Sequence, residues 1–141
     1  MSLINIKKVI KDYDANGITV NAIRGVSLEI KKGEFAALAG PSGSGKTTLL
    51  NLIGGLDQPT GGDIIVGDYN LSQLTPKDLS DIRLNNIGFI FQAYNLIPVL
   101  SALENVEYIL LLQGIEKEER RERSAKILEE VGLKAEMHRP P

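Results

Sequence analysis

The chain contains no cysteine, which excludes disulfides, thiolate metal sites and thiol catalysis together. Net charge is also scarce: 16 Lys and Arg against 18 Asp and Glu leave −2 with histidine neutral, and the isoelectric point is about 5.5. Such a balance gives no overall attraction to nucleic acid or to an anionic lipid surface. Long apolar runs are missing too. The longest stretch without charge, residues 84–103, is interrupted by Asn85, Asn86, Gly88, Gln92, Asn95 and Pro98, polar and helix-breaking residues that argue against a membrane span. Lys7, Lys8, Lys11 and Asp12 interrupt the first dozen residues, so no basic-then-apolar signal segment opens the chain. Histidine occurs once, at His138 close to Pro140-Pro141, where it reads as an exposed loop residue and not as a catalytic or metal-binding group.

What is present is concentrated in one stretch. Gly40-Pro41-Ser42-Gly43-Ser44-Gly45-Lys46-Thr47-Thr48 fits the phosphate-loop pattern G-x-x-x-x-G-K-[ST]. Gly40, Gly43 and Gly45 let the backbone take positive φ angles, so that successive N–H groups converge on one anion-sized hollow. Lys46 then falls at a helix start, where its ammonium adds to the positive end of the helix dipole, and an anion is what such a place stabilises. Thr47 offers a hydroxyl suited to Mg²⁺, a hard cation that keeps waters and takes phosphate oxygens, while Lys46 reaches the β and γ phosphates. The flanks agree with that reading. Phe35-Ala36-Ala37-Leu38-Ala39 has the look of a buried strand running into the loop, and Leu49, Leu52 and Ile53 recur at helical spacing after it until Gly54-Gly55. The bland alternative is a glycine-rich turn with a solvated lysine.

Along the rest of the 141 residues, enough for one domain with a real core, residues 3–10 and 18–30 read as strands separated by a polar loop, residues 11–17, that holds Tyr13. Val26, Leu28 and Ile30 alternate with Ser27 and Glu29, as in a half-buried strand. A turn at Lys31-Lys32-Gly33 follows, and beyond the loop helix a turn cluster at residues 57–62, a strand at residues 63–66 and a turn at Gly67-Asp68. Thr75-Pro76-Lys77-Asp78 predicts a helix start with Thr75 as N-cap and Pro76 at the first helical position, running to about Asn85. Ile87-Gly88-Phe89-Ile90-Phe91 reads as an apolar strand that ends on Gln92. Ser101 and Glu104 form a Ser-x-x-Glu capping box for a helix to about Leu112, and a charged helix from Glu116 to Val131 stops at Gly132. In that charged helix Glu119 and Arg123 attract at i,i+4 spacing, and its outer face is assigned no function.

Taken together, residues 40–62, residues 87–92, Tyr94-Asn95-Leu96-Ile97-Pro98 and Leu103-Glu104-Asn105-Val106 resemble the nucleotide-binding domain of ABC transporters. The branch most similar is the one with lipoprotein-release and macrolide-export ATPases, and the resemblance covers essentially the whole chain. It implies an α/β fold: a P-loop NTPase core with an amino-terminal antiparallel β-subdomain over residues 1–92, and the start of a helical subdomain over residues 93–141. It implies ATP and Mg²⁺ as cofactors, backbone contacts to phosphate along Gly40, Pro41, Ser42, Gly43, Ser44, Gly45, Lys46, Thr47 and Thr48, and Mg²⁺ on Thr47. Tyr13 matches the family's adenine-stacking aromatic; an exposed ring holds a base with about 1 to 3 kcal/mol without base-specific hydrogen bonds, although the residue pattern alone fits a half-buried strand-end tyrosine equally well. Gln92 matches the glutamine that touches Mg²⁺ or the attacking water, where its residue pattern alone suggests a surface glutamine. The resemblance further implies an integral membrane partner docking on residues 92–112, a homodimer in the full-length form, no nucleic acid partner, and a cytoplasmic location at the inner face of the membrane. The apolar stretch 94–100 also reads as core of a small helical subdomain, so some of it is expected inside and some, above all Tyr94, Leu96 and Ile97, outside.

Several parts of that family's machinery do not occur in these residues. Hydrolysis needs an apolar strand ending in Asp and a following Glu, and Ile64-Ile65-Val66-Gly67-Asp68 is broken by Gly67 and followed by Tyr69. The Leu-Ser-Gly-Gly-Gln signature and a switch histidine are absent too. The expectation is an amino-terminal portion that binds nucleotide without turning it over alone, with Lys46 and Gln92 contributing to an incomplete catalytic site. The alternative is a non-catalytic or self-associating fragment, since such a portion exposes sheet edges and apolar faces. A GTPase would need an Asn-Lys-x-Asp base reader, which is missing, and no second motif points to a small-molecule kinase.

Overall fold

The computed structural model describes residues 2–141, which cluster into two compact units, residues 2–83 and 84–141. In the first unit, β1 (Ser2–Ala15) and β2 (Ile18–Lys31) form a long antiparallel hairpin. Its two-residue turn is Asn16-Gly17, with φ of 54° and 78°, the pair of left-handed residues that lets a tight turn follow the twist of its strands. The polar loop expected over residues 11–17 is therefore mostly strand: alternation of Lys11, Tyr13 and Ala15 with Asp12 and Asp14 carries the ladder to the turn. β3 (Gly61–Val66) pairs with the other edge of β1, and β4 (Tyr69–Asn70) with β3, giving an antiparallel sheet in the order β2-β1-β3-β4. β1 bulges at Lys7-Lys8, and β3 crosses this point with Gly62, where a Cβ would run into the carbonyls of both lysines.

One face of the sheet buries Ile6, Val9, Ile23 and Ile64. Against β2 and β3 packs α1 (Lys46–Ile53), whose Leu49 and Leu52 are buried at i,i+3 spacing. Leu71, in a single 3-10 turn at Leu71–Gln73, and Leu79 and Ile82 of α2 (Pro76–Asn86) complete this core. α2 starts where the sequence predicts, with the Thr75 hydroxyl and the Asp78 carboxylate hydrogen-bonded to each other at 2.6 Å and to each other's backbone N–H.

Two expected strands do not form. Residues 35–39 and 87–91 take no regular secondary structure, and among the described residues no strand pairs with either, so their backbone has no ladder to join. Several of their apolar side chains stand in solvent, Phe35 at 97% and Ile90 at 102% exposure, and the Phe89 and Phe91 rings stack with centroids 5.7 Å apart.

The second unit is built on α3 (Ala102–Leu112) and α4 (Lys117–Glu130), which pack together with Leu103, Ser124 and Leu128 buried. The capping box is present as expected: Ser101 Oγ accepts from the Glu104 N–H, and Glu104 returns a carboxylate to the Ser101 N–H at 2.8 Å. Asn105 staples the segment before the helix, accepting from the Ile97 N–H at 2.8 Å and donating to the carbonyls of Ile97, Leu100 and Ser101. The Glu119–Arg123 pair forms at 3.3 Å, fully on the surface, where it is worth little. No helix among the described residues is long and apolar enough to cross a membrane.

Candidate functional site

The glycine loop runs from residue 40 into the first turn of α1. Gly43 and Gly45 sit in the left-handed region, with φ of 78° and 86°. Gly45 is also the N-cap of α1, and space demands glycine there as strongly as conformation does: a Cβ would lie 2.7 Å from the Ala22 carbonyl of β2. The loop is thereby pressed against the outer strand of the sheet. The first turn of α1 holds Lys46, Thr47 and Thr48 and no acidic residue, so nothing there cancels the positive helix end.

Lys46 folds back over the loop. Its Nζ donates to the Gly40 carbonyl at 2.9 Å, the Pro41 carbonyl at 2.7 Å and Ser44 Oγ at 3.3 Å. A single flexible side chain thus holds the ammonium over the hollow by neutral acceptors that phosphate oxygens, which carry charge, can outcompete. Thr47 is exposed at the same turn. Between the loop and β2 lies a cavity of about 440 Å3, lined by Ser42, Gly43, Gly45, Lys46, Thr47 and Thr48 from the loop side and by Val20, Asn21, Ala22 and Arg24 from the strand side. A second hollow of about 290 Å3 adjoins it along Ala22, Ile23, Arg24, Gly43 and Ser44. The larger cavity has two cations and no carboxylate on its walls.

Tyr13 lies at the rim. Its cross-strand partner in the β1–β2 ladder is Val20, a wall residue, and directly opposed residues share a face. The ring is 39% exposed, and its hydroxyl donates to Asp57 Oδ2 at 2.7 Å. That bond to a carboxylate, joined by partial burial and by the Asp57 charge, raises the Tyr13 pKa above its ordinary value of 10.0. Asp57 itself is pushed up by burial, but the hydrogen bonds from Lys11, Tyr13 and the Gln58 N–H outweigh this and leave it below its ordinary 3.8.

Of the residues expected at the site, the structure brings together Gly40, Pro41, Ser42, Gly43, Ser44, Gly45, Lys46, Thr47 and Thr48 in the loop, with Tyr13 paired to Val20 of the cavity wall. Gln92 lies in the other compact unit, on an exposed bend and not at a strand end, because residues 87–91 form no strand. The sequence reading missed the β2 wall of Asn21, Ala22 and Arg24, which only the register of the hairpin and the close approach of Gly45 reveal. It also missed Asp57, placed there as part of a turn. No group of three or more His, Asp or Glu side chains among the described residues is arranged to hold a metal ion, and the cavity wall offers neutral oxygens instead, among them the hydroxyls of Ser42, Thr47 and Thr48.

Comparison with known proteins agrees with this geometry. The family described as ABC transporter matches residues 23–141. The chain is 43% identical over its whole length to an uncharacterized ABC transporter ATP-binding protein of Thermotoga maritima, covering 59% of that protein. It is 42% identical to the lipoprotein-releasing system ATP-binding protein LolD of Legionella pneumophila, with 98% of this chain and 61% of LolD aligned. With the macrolide export ATP-binding/permease protein MacB of Hyphomonas neptunium it shares 45% identity over 99% of this chain and 22% of MacB. Among solved structures, the ATP-binding cassette MJ0796 in a dimeric post-hydrolysis state bound to ADP and Pi superposes with a TM-score of 0.90 at 41% identity, over 98% of this chain and 61% of that one. The chain therefore spans about three fifths of the length of the stand-alone ATP-binding relatives it matches. With a phosphate loop of this geometry and a family match over residues 23–141, the chain belongs to the ABC transporter ATP-binding domain family.

Proposed function

We propose that the chain supplies the amino-terminal nucleotide-binding surface of an ABC transporter ATP-binding subunit, holding Mg·ATP between the glycine loop and β2. The observation that carries this is the loop itself: left-handed Gly43 and Gly45 at the start of α1, an acid-free first turn, and Lys46 poised over the hollow on neutral acceptors. Backbone N–H groups of residues 43–47 and the Lys46 ammonium take the phosphate oxygens. The Thr47 hydroxyl fits Mg²⁺, which would offset the phosphate charge when bound. Tyr13 offers its ring to the base.

Turnover is a separate matter. These 141 residues hold no Asp-Glu at the end of an apolar strand to orient the attacking water, so they bind nucleotide without hydrolysing it by themselves. Coupling to a membrane subunit through residues 92–112, dimerisation as in the MJ0796 structure, and a cytoplasmic position at the membrane face complete the reading. Tyr94, 92% exposed, and Val99, 85% exposed, support an apolar docking surface there.

A second reading, an association-prone piece with a partial pocket, is favoured by the bare Phe35 and Ile90 side chains. Thermal unfolding separates the two. Under the first reading, Mg·ATP at about 100 times its Kd adds roughly 2.7 kcal/mol to stability and raises the melting temperature, while phosphate release stays at background. No shift, or steady hydrolysis abolished by Lys46→Ala, contradicts it.

A further inference from the structure

The Tyr13 side chain is held more tightly than a rim aromatic needs to be. Asp57 accepts its hydroxyl at 2.7 Å, and the other oxygen of Asp57 accepts from Lys11 Nζ at 2.7 Å and from the Gln58 N–H at 2.7 Å. Lys11 donates in addition to the Gln58 carbonyl at 2.8 Å and places its ammonium 4.8 Å from the centre of the Tyr13 ring. The Lys11 side chain is only 13% exposed, so this cation–π contact is shielded from water. One face of the ring therefore belongs to Lys11, and the edge carrying the hydroxyl belongs to Asp57. The remaining face is the one a ligand can use.

The location of this clamp gives it a second property. Asp57 and Gln58 follow the end of α1, and the glycine loop precedes its start, so one helix about 12 Å long carries both the phosphate hollow and the anchor of the ring. The turn that bears Asp57 is itself tied to the sheet by Lys11, so the phosphate hollow and the ring are linked through α1 and this hydrogen-bonded turn.

We propose that Asp57 and Lys11 are positioning residues for a flat heterocyclic base: together they fix the Tyr13 ring with one face capped by the Lys11 ammonium and the other presented at a set distance from the phosphate loop. The proposal rests on the nucleotide reading above. Neither residue touches the ligand, so their removal costs base affinity and leaves phosphate affinity alone. Stacking recovers affinity only when the ring is already in place, since ordering it on binding uses up part of the gain.

The test compares two ligands on the complete protein chain, Mg·ATP and Mg·tripolyphosphate, which has the phosphates without the base. Asp57→Ala removes the acceptor and Tyr13→Phe removes only the hydroxyl while keeping the ring, so that the second variant remains informative if the first does not fold. Each is expected to weaken Mg·ATP by about fivefold, a fraction of the full stacking contribution, with tripolyphosphate unchanged. The double variant loses no more than Asp57→Ala alone, because that substitution already removes the bond that Tyr13→Phe breaks. Unchanged Mg·ATP affinity in both variants, or equal losses for the two ligands, overturns the positioning role and leaves the nucleotide reading intact. Wild-type protein that binds neither ligand overturns both.

Discussion

At the scale of the residue, Gly45 is the most constrained position in the site. Its φ of 86° is strained for any other residue, and a Cβ would meet the Ala22 carbonyl at 2.7 Å and Ile23 Cδ1 at 2.9 Å. Gly45→Ala is expected to cost about 1–3 kcal/mol and to push the loop away from β2, seen as a lower urea midpoint together with weakened tripolyphosphate binding. Asp57 and Tyr13 make a prediction in pH. Tyr13 holds its proton above the ordinary 10.0 because its hydroxyl donates to the Asp57 carboxylate, so the contribution of this bond is complete below that value and fades as pH rises through the raised one. Asp57 is depressed below 3.8, so its contribution is complete above that value and is lost as pH falls through the lowered one. The difference in phenolate absorbance between wild type and Tyr13→Phe should therefore titrate above 10, and in an Asp57→Ala background should return toward it. A Tyr13 titration unaffected by Asp57→Ala would contradict the bond.

At the scale of the element, what could be read from sequence was whatever rests on local chemistry. Thr75-Pro76 starts α2 and Ser101 with Glu104 starts α3, because a cap is decided by two or three residues and their own backbone. Residues 40–48 make the expected loop for the same reason: glycine conformations and a helix start are short-range facts. Tertiary facts escaped. An apolar run becomes a strand only with a neighbour to pair with, and residues 35–39 and 87–91 have none here. The polar residues 11–15 read as loop, yet pairing with β2 carries them as strand, and the Asn16-Gly17 dipeptide was the local signal for it. Gly17 has φ of 78° and open space around it, so Gly17→Ala tests the turn alone: a loss of about 1 kcal/mol in chemical denaturation is expected. An unchanged midpoint would mean that the hairpin does not depend on this turn type. Asp57 escaped notice because its partners, Lys11 and Tyr13, lie more than forty residues away in the chain.

At the scale of the whole molecule, two properties meet: an ordered phosphate loop on a packed β-core, and apolar segments with no cover. Ile90 and Phe35, at 102% and 97% exposure, are surfaces that water does not favour. The 141-residue chain is expected to self-associate with rising concentration, and Phe35→Ser with Ile90→Ser to shift its mass in solution toward the monomer; a concentration-independent monomer would contradict that expectation. The central claim, however, is the phosphate cradle. Calorimetric titration of the chain with Mg·ATP, beside Lys46→Ala, tests it most directly. Saturable binding by the wild type that the variant loses is the predicted result, because Lys46 is the cation held over the hollow by the Gly40 and Pro41 carbonyls. Equal binding by both proteins, or binding by neither when both are folded, would contradict it.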